Sequence, residues 1–203
     1  MDNTENILYS PAIYGLVLTG GQSRRMGYDK AMIEYHQKPH YEYTADILSQ
    51  HVEETLISVA HNQNKHKSSL YIMINDQHLN IGPIGGLLAA LKYNADVAWL
   101  TVACDLPFLN TDVISDLISQ RQISKMATCY LNPDTQNPEP LLTIWEPKAY
   151  PILQDSLSKG LYSPMKILTN NDTNLIKIKY AKALTNVNDP AQKKNALDDL
   201  RHS

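Results

Sequence analysis

Short apolar runs separated by longer amphipathic stretches divide the chain into a regular alternation. Runs at 13–18, 55–60, 70–74, 97–103 and 126–131 are apolar and short, which predicts strands. Between them, 39–51, 83–93 and 111–120 place apolar residues three and four apart, which predicts helices. The resulting order predicts an α/β fold, a three-layer α/β/α arrangement with a mostly parallel, Rossmann-like sheet. After 131 the pattern changes. The turn-rich stretch 132–138 (Asn-Pro-Asp-Thr-Gln-Asn-Pro) predicts a hairpin or an insertion ahead of the apolar segment 141–145. Segments 147–158 and 189–201 predict two more helices, the second with Asp189 as N-cap and Pro190 at the first helical position.

In such a sheet ligands collect at the carboxyl ends of the strands. The loops after Leu18, Ile74 and Ala103 would leave that one edge, so the polar residues there are the first candidates for a site. A length of 203 residues suits one well-buried domain and is short for two, so a single domain over 1–203 is expected. With 43% hydrophobic and 19% charged residues, disorder is not the default. The formal net charge of −3 gives no global attraction to nucleic acid or to an anionic membrane, so any anion must be held by local charges. The first ten residues are polar and acidic where a secretory signal would be cationic and then apolar, and no run approaches a membrane span; a cytoplasmic protein is expected. Cys104 and Cys129 read as buried thiols. The seven histidines, His61, His66 and His78 among them, lack metal-ligand spacing and read as surface residues.

The densest chemistry follows the first strand: Leu18-Thr19-Gly20-Gly21-Gln22-Ser23-Arg24-Arg25-Met26-Gly27-Tyr28-Asp29-Lys30. Gly20 and Gly21 leave the main chain without side-chain bulk, so N–H groups can turn toward an anion, while Arg24, Arg25 and Lys30 bring three positive charges to the same segment. By chemistry this is a phosphate-handling loop, although it has neither the P-loop pattern nor the Gly-x-Gly-x-x-Gly spacing. The bland alternative is a strand-to-helix turn with solvated arginines. Two further constellations lie at the same edge. Asp76 follows the strand at 70–74, and Gly82-Pro83-Ile84-Gly85-Gly86 opens the next helix, whose N-terminal N–H groups would point into the crevice. Asp105, in Cys104-Asp105-Leu106-Pro107, ends a very apolar strand, where a carboxylate is costly unless it meets a cation or donors. Mg²⁺ suits such a position, since it takes one or two carboxylates and completes its shell with water and phosphates. A turn-capping Asp explains the same residue equally well taken alone.

Taken whole, the glycine-rich segment resembles the signature of the nucleotidyltransferases that load a nucleotide onto the molybdenum cofactor, Leu-x-Gly-Gly-x-Ser-x-Arg-Met-Gly-x-Asp-Lys, with every fixed position present. The resemblance runs well from residue 13 to about 108 and thinly to 190. It implies the fold of the nucleotide-diphospho-sugar transferases, with a nucleotide-binding half at about 11–109 and an acceptor-binding half at about 110–203. It also implies a nucleoside triphosphate with its base near Leu18, Thr19, Gly20 and Gly21, its phosphates toward Arg25 and Lys30, and recognition by Asp76 with the Gly-Pro-x-x-Gly element. Asp105 matches the family's metal-binding Cys-Asp-x-Pro and would hold Mg²⁺. Asn186-Val187-Asn188-Asp189-Pro190 resembles the family's Asn-x-Asn-x-Pro, which implies acceptor contacts from Asn186 and Asn188.

The implied reaction is guanylyl transfer: the terminal phosphate of molybdopterin attacks the α-phosphorus of GTP and pyrophosphate leaves. Arg25, Lys30 and Asp105 would be its catalytic residues, with GTP, molybdopterin and molybdoenzyme maturation proteins as the partner classes, and neither nucleic acid nor membrane among them. Gly20-Gly21 weighs for guanine, since cytidylyl relatives usually carry Ala-Gly there. The rivals are a related transferase using CTP or a sugar phosphate, and a nucleotide-binding maturation partner without catalysis. Three departures stand out: Thr19 in place of the usual alanine, His61-Asn62 after the second strand, and a segment 160–174 in which Lys166 is the one basic candidate toward the acceptor.

Overall fold

The computed structural model describes residues 10–19, 30–60, 70–76 and 81–202. Seven strands form one sheet in the order β3-β2-β1-β4-β6-β5-β7. They are β1 (Ile13–Leu18), β2 (Glu54–Ala60), β3 (Ile72–Asp76), β4 (Ala98–Ala103), β5 (Ala127–Leu131), β6 (Pro138–Trp145) and β7 (Thr173–Lys177). The first four pair in parallel. β6 runs antiparallel between β4 and β5, and β7 is parallel to β5. The strand order therefore reverses beside β1, the topological position at which a ligand crevice is expected.

The six α-helices are α1 (His40–Ser49), α2 (Pro83–Tyr93), α3 (Thr111–Ser119), α4 (Ala149–Ser158), α5 (Pro164–Asn170) and α6 (Pro190–Arg201). Period-two alternation divides the sheet between two cores. Val17, Ile57, Leu100 and Val102 face one side, where Ala45 and Leu48 of α1 and Val113 and Leu117 of α3 cover them. Leu16, Leu18, Leu56 and Trp99 face the other, covered by Ile84 and Leu88 of α2, Leu153 of α4 and Ile167 of α5. The layers are thus helix, sheet, helix, as expected. A third, smaller cluster joins Ile33, Tyr35, Val187 and Ala196, with Phe108, Leu197 and Leu200 packed against it. It fixes α6 and the segment before it to the carboxyl edge of the sheet.

Most predicted elements fall where the pattern puts them, with three differences of physical interest. Stretch 132–138 is a hairpin between β5 and β6, turned by the Asn132 side chain, whose Oδ1 accepts from the N–H groups of Asp134 and Thr135 at 3.0 and 3.1 Å. The strand that follows begins at Pro138, ahead of the apolar run. Helix α5 and strand β7 were not predicted, although Ser163 accepts from Lys166 N–H as N-cap and Pro164 follows at the first helical position. Both cysteines are buried free thiols, with Cys104 one residue beyond β4. Among the described residues no helix is long and apolar enough to cross a membrane.

Candidate nucleotide-binding site

Four parallel strands end at one edge, and β1, β3 and β4 deliver Thr19, Asp76 and Asp105 to it. Gly20, Gly21, Arg24 and Arg25 lie outside the described residues, as do His61, Asn62, His66 and His78. The edge can therefore be built from both flanks of the glycine loop. On its near side Leu18 turns into the core, 6% exposed, and its carbonyl accepts from Cys104 N–H at 3.2 Å. Thr19 is 4% exposed; its hydroxyl and its N–H both donate to the Ser58 carbonyl, at 2.6 and 3.2 Å. The Thr19 hydroxyl thus stitches β1 to β2. Leu18 and Thr19 close the carboxyl end of β1.

On the far side of the loop, Lys30 opens a short 3₁₀ turn, and its ammonium donates to Asn188 Oδ1 at 2.5 Å. Asn186, with its amide nitrogen toward the carboxylate, donates to both oxygens of Asp105 at 2.7 and 2.9 Å. Between the two asparagines, Val187 N–H donates to the Asp105 carbonyl at 3.0 Å, and its side chain is buried in the third cluster. The Asn-x-Asn segment is held in turn by α6. Asn188 N–H donates to Gln192 Oε1 at 2.6 Å, while Asp189 caps the helix by accepting from Gln192 N–H at 2.8 Å. Residues more than eighty positions apart in the chain thereby meet at one point, Asn186 against Asp105 and Asn188 against Lys30.

Burial pushes the Asp105 carboxyl from its ordinary 3.8 up to about 6; the Lys30 ammonium pulls it back down and the Glu139 carboxylate pushes it further up. A carboxylate so placed gains from any added positive charge. Among the described residues no three His, Cys, Asp or Glu side chains gather as a metal cluster, so a cation here would draw the rest of its shell from substrate and water.

Asp76 stands at the other end of the edge. With β2 and β1 between β3 and β4, three strand spacings separate it from Asp105, about 14 Å. Its carboxylate lies over the first turn of α2, where Gly82 takes a positive φ of 71° as N-cap and Pro83 follows. A Cβ on Gly85 would stand 2.6 Å from the Asp76 carboxyl carbon and closer still to both oxygens, so the glycine is what admits the carboxylate. Gly86 serves the same close approach to the sheet: a Cβ there would meet Ser58 Oγ at 2.5 Å and Leu18 at 2.7 Å.

One expectation about the histidines is corrected. His40 is fully buried, while His36 stacks on Tyr43 at 3.7 Å and its Nε2 lies 3.0 Å from the Pro107 carbonyl. Burial, then the charge of His36, lowers the His40 ring from 6.5 to about 4, so it is a neutral core residue beside the Asp105 loop. Position 40 opens α1 on its core-facing side, a pattern indistinguishable in the sequence from a solvated first turn. Glu139, 7% exposed, was not singled out either.

A family model described as the MobA-like NTP transferase domain matches residues 15–173. The molybdenum cofactor guanylyltransferase of Yersinia pseudotuberculosis is 32% identical over 185 residues, 89% of this chain and 93% of that protein. A molybdenum cofactor biosynthesis bifunctional protein from Synechocystis is 38% identical over 180 residues, 88% of this chain; the chain spans 52% of that relative's length. In fold, the chain is similar to molybdopterin-guanine dinucleotide biosynthesis protein A from Archaeoglobus fulgidus, with a TM-score of 0.78, 23% identity, and coverage of 94% of this chain and all of that one. The family model runs from within β1 through the first residue of β7 and so takes in five of the seven strands whole; the chain belongs to the MobA-like NTP transferases, and it is a nucleotidyltransferase.

Proposed function

We propose that this chain transfers GMP from GTP to the terminal phosphate of molybdopterin. A phosphate oxygen of the acceptor bonds to the α-phosphorus, the bond from that phosphorus to the bridging oxygen of the β-phosphate breaks, and pyrophosphate leaves. The observation that carries this reading is the joining of Lys30 to Asn188 and of Asp105 to Asn186, which ties the nucleotide flank to the acceptor flank. Such a reaction asks little covalent chemistry of a protein; it asks that two phosphates be placed in line and that developing charge be neutralised. Lys30 and Arg25 would steady the leaving pyrophosphate, and Gly20 and Gly21 would lie under the base and ribose with Asp76 at the far end of the crevice. Asn186 and Asn188 would meet the acceptor. No general base is needed, since a phosphate monoester is already ionised near neutral pH.

Mg²⁺ fits Asp105 because burial leaves that carboxylate short of positive charge. Bound there, the ion would supply Lewis-acid polarisation of the phosphate oxygens. The residues around it have their own tasks: Asn186 orients the carboxylate and Lys30 limits its excess charge. A division into a nucleotide half at about 11–109 and an acceptor half at about 110–203, within one cytoplasmic domain, belongs to the same reading. So does delivery of the product to molybdoenzyme maturation proteins.

A thermal-shift panel of GTP, CTP, ATP and UTP, each with and without Mg²⁺, tests the nucleotide assignment. A ligand at about 100 times its dissociation constant adds about 2.7 kcal/mol of stability. GTP with Mg²⁺ is expected to give the largest shift, and a larger shift with CTP would overturn the base assignment.

A further inference from the structure

Strand β4 ends at Ala103, and the chain then turns through Asp105 and Pro107 toward α3. Three successive carbonyls of that turn are each bonded to a different part of the chain. Val187 N–H donates to the Asp105 carbonyl at 3.0 Å, and Leu109 N–H closes on the Leu106 carbonyl at 3.2 Å. The Pro107 carbonyl meets the His36 ring, whose Nε2 lies 3.0 Å away. A carbonyl only accepts, so Nε2 carries the proton and His36 is the donor. The first two donors are main chain, which no substitution removes, whereas the third is a side chain. It comes from the nucleotide flank, six residues beyond Lys30. Neighbouring rings fix its orientation: it stacks on Tyr43 of α1 at 3.7 Å and 15°, and the buried His40 ring lies 6.1 Å from it, beside the Leu106 main chain. The loop that presents it is closed by His40 N–H donating to the Ile33 carbonyl at 2.9 Å, while Ile33 and Tyr35 pack with Phe108 in the third cluster. Stacking alone asks for a flat ring, which a phenyl group would supply as well. What the imidazole adds is the N–H.

We propose that His36 is a positioning residue for the transfer reaction: by donating to the Pro107 carbonyl it holds the turn that carries Asp105 in a fixed place against the segment that carries Lys30. This rests on the reading of Lys30 and Asp105 as members of the nucleotide site. The two charged residues stand on the segments that this bond joins, and their side chains are tied in turn to Asn188 and Asn186. Those asparagines act on the side chains. His36 acts on the main chain two residues past Asp105, so it sets where the carboxylate starts from rather than how it points. Groups that hold a binding side chain from outside typically change affinity or activity by ~10–100-fold when lost.

The test uses the full chain and two substitutions that separate the donor from the ring. His36→Phe keeps a flat ring for Tyr43 and has no N–H, while His36→Gln carries an N–H to about the reach of Nε2 and has no ring. Four quantities are read: the melting temperature, amide exchange at Leu109, Mn²⁺ binding followed by electron paramagnetic resonance in the presence of GTP, and kcat at saturating GTP and Mg²⁺. His36→Phe should stay folded at the assay temperature, exchange its Leu109 N–H faster, and lose ~10–100-fold in both kcat and Mn²⁺ affinity. His36→Gln should recover most of both, even where it melts lower for want of the stack. Parental kcat and Mn²⁺ affinity in His36→Phe would overturn the inference, and so would losses that follow the melting temperature, with His36→Gln the worse of the two. A His36→Phe chain that does not fold leaves the decision to His36→Gln, whose loss of kcat while folded would overturn the inference. Asp105→Asn separates it from the reading beneath it: Mn²⁺ binding lost there yet parental in His36→Phe, with parental kcat, overturns the role of His36 alone, and parental binding in Asp105→Asn overturns the Asp105 assignment.

Discussion

Gly85→Ala separates stability from nucleotide recognition at a single methyl group. The added Cβ would lie 2.6 Å from the Asp76 carboxyl carbon, well inside the ~3.5–4.0 Å of an ordinary carbon contact, so the carboxylate must move by about 1 Å or more. Backbone movement is the harder route, because Gly85 N–H is bonded to the Gly82 carbonyl at 3.1 Å within the first turn of a helix packed on the sheet. The short Asp76 side chain, at the end of edge strand β3, is the part that can swing. Removing a glycine from a helix gains about 0.8–1 kcal/mol. That is comparable to the cost of an off-rotamer side chain, ~0.5–1.5 kcal/mol, so net stability should change little. Binding should change more. A hydrogen bond to a charged group is worth ~1.5–3 kcal/mol, and its loss weakens a dissociation constant by about 10–150-fold. Calorimetric titration of GTP with Mg²⁺ into the parent, Gly85→Ala, Asp76→Ala and the double variant measures both the size and the coupling. If Gly85 acts by admitting Asp76, its substitution is nearly silent once Asp76 is gone. Additive losses, or parental GTP affinity in Gly85→Ala, would refute the reasoning.

Lys30→Ala should fold normally and lose ~10²–10³ in turnover, the scale for removing one donor from a transition-state cradle; unaltered turnover would remove Lys30 from the mechanism. Asn188→Ala should weaken acceptor use and, because Asn188 Oδ1 receives the Lys30 ammonium at 2.5 Å, lower kcat as well. A variant altered only in its KM for molybdopterin would show that this tie carries no part of the rate. His40 has a folded-state value of about 4 against 6.5 in the unfolded chain, so between those pH values the unfolded state binds the extra proton and stability falls as pH falls. The full effect is on the order of 3 kcal/mol, present above about pH 6.5 and gone below about pH 4. Urea midpoints measured from pH 4 to 7.5 should show that slope in the parent and a flatter profile in His40→Phe, and parallel profiles would contradict it.

The elements legible in the sequence were those whose apolar period was long or whose ends were punctuated. Strand 13–18 and helix 83–93 coincide with β1 and α2, since each is bounded by glycine or proline and packed on a continuous core. Helix α5 and strand β7 were not, because seven and five residues carry too little periodicity and their burial is decided by α4, β5 and β6, which lie elsewhere in the chain. The candidate site divides in the same way. Asp76, Asp105 and Lys30 stand at strand ends or in a motif, so local order exposes them. The bonds from Asn186 to Asp105 and from Asn188 to Lys30 span eighty-one and 158 positions, and only tertiary packing around Val187 and Phe108 creates them.

The central claim is the transfer itself, and one experiment addresses it directly. The purified chain is incubated with Mg²⁺, molybdopterin and GTP labelled at the α-phosphate, and both the labelled pterin product and the released pyrophosphate are quantified. The account predicts label on molybdopterin in equal amount to pyrophosphate, dependence on Mg²⁺, and far less product from CTP at the same concentration. Pyrophosphate release without label on the pterin, or transfer from CTP in preference to GTP, would contradict it.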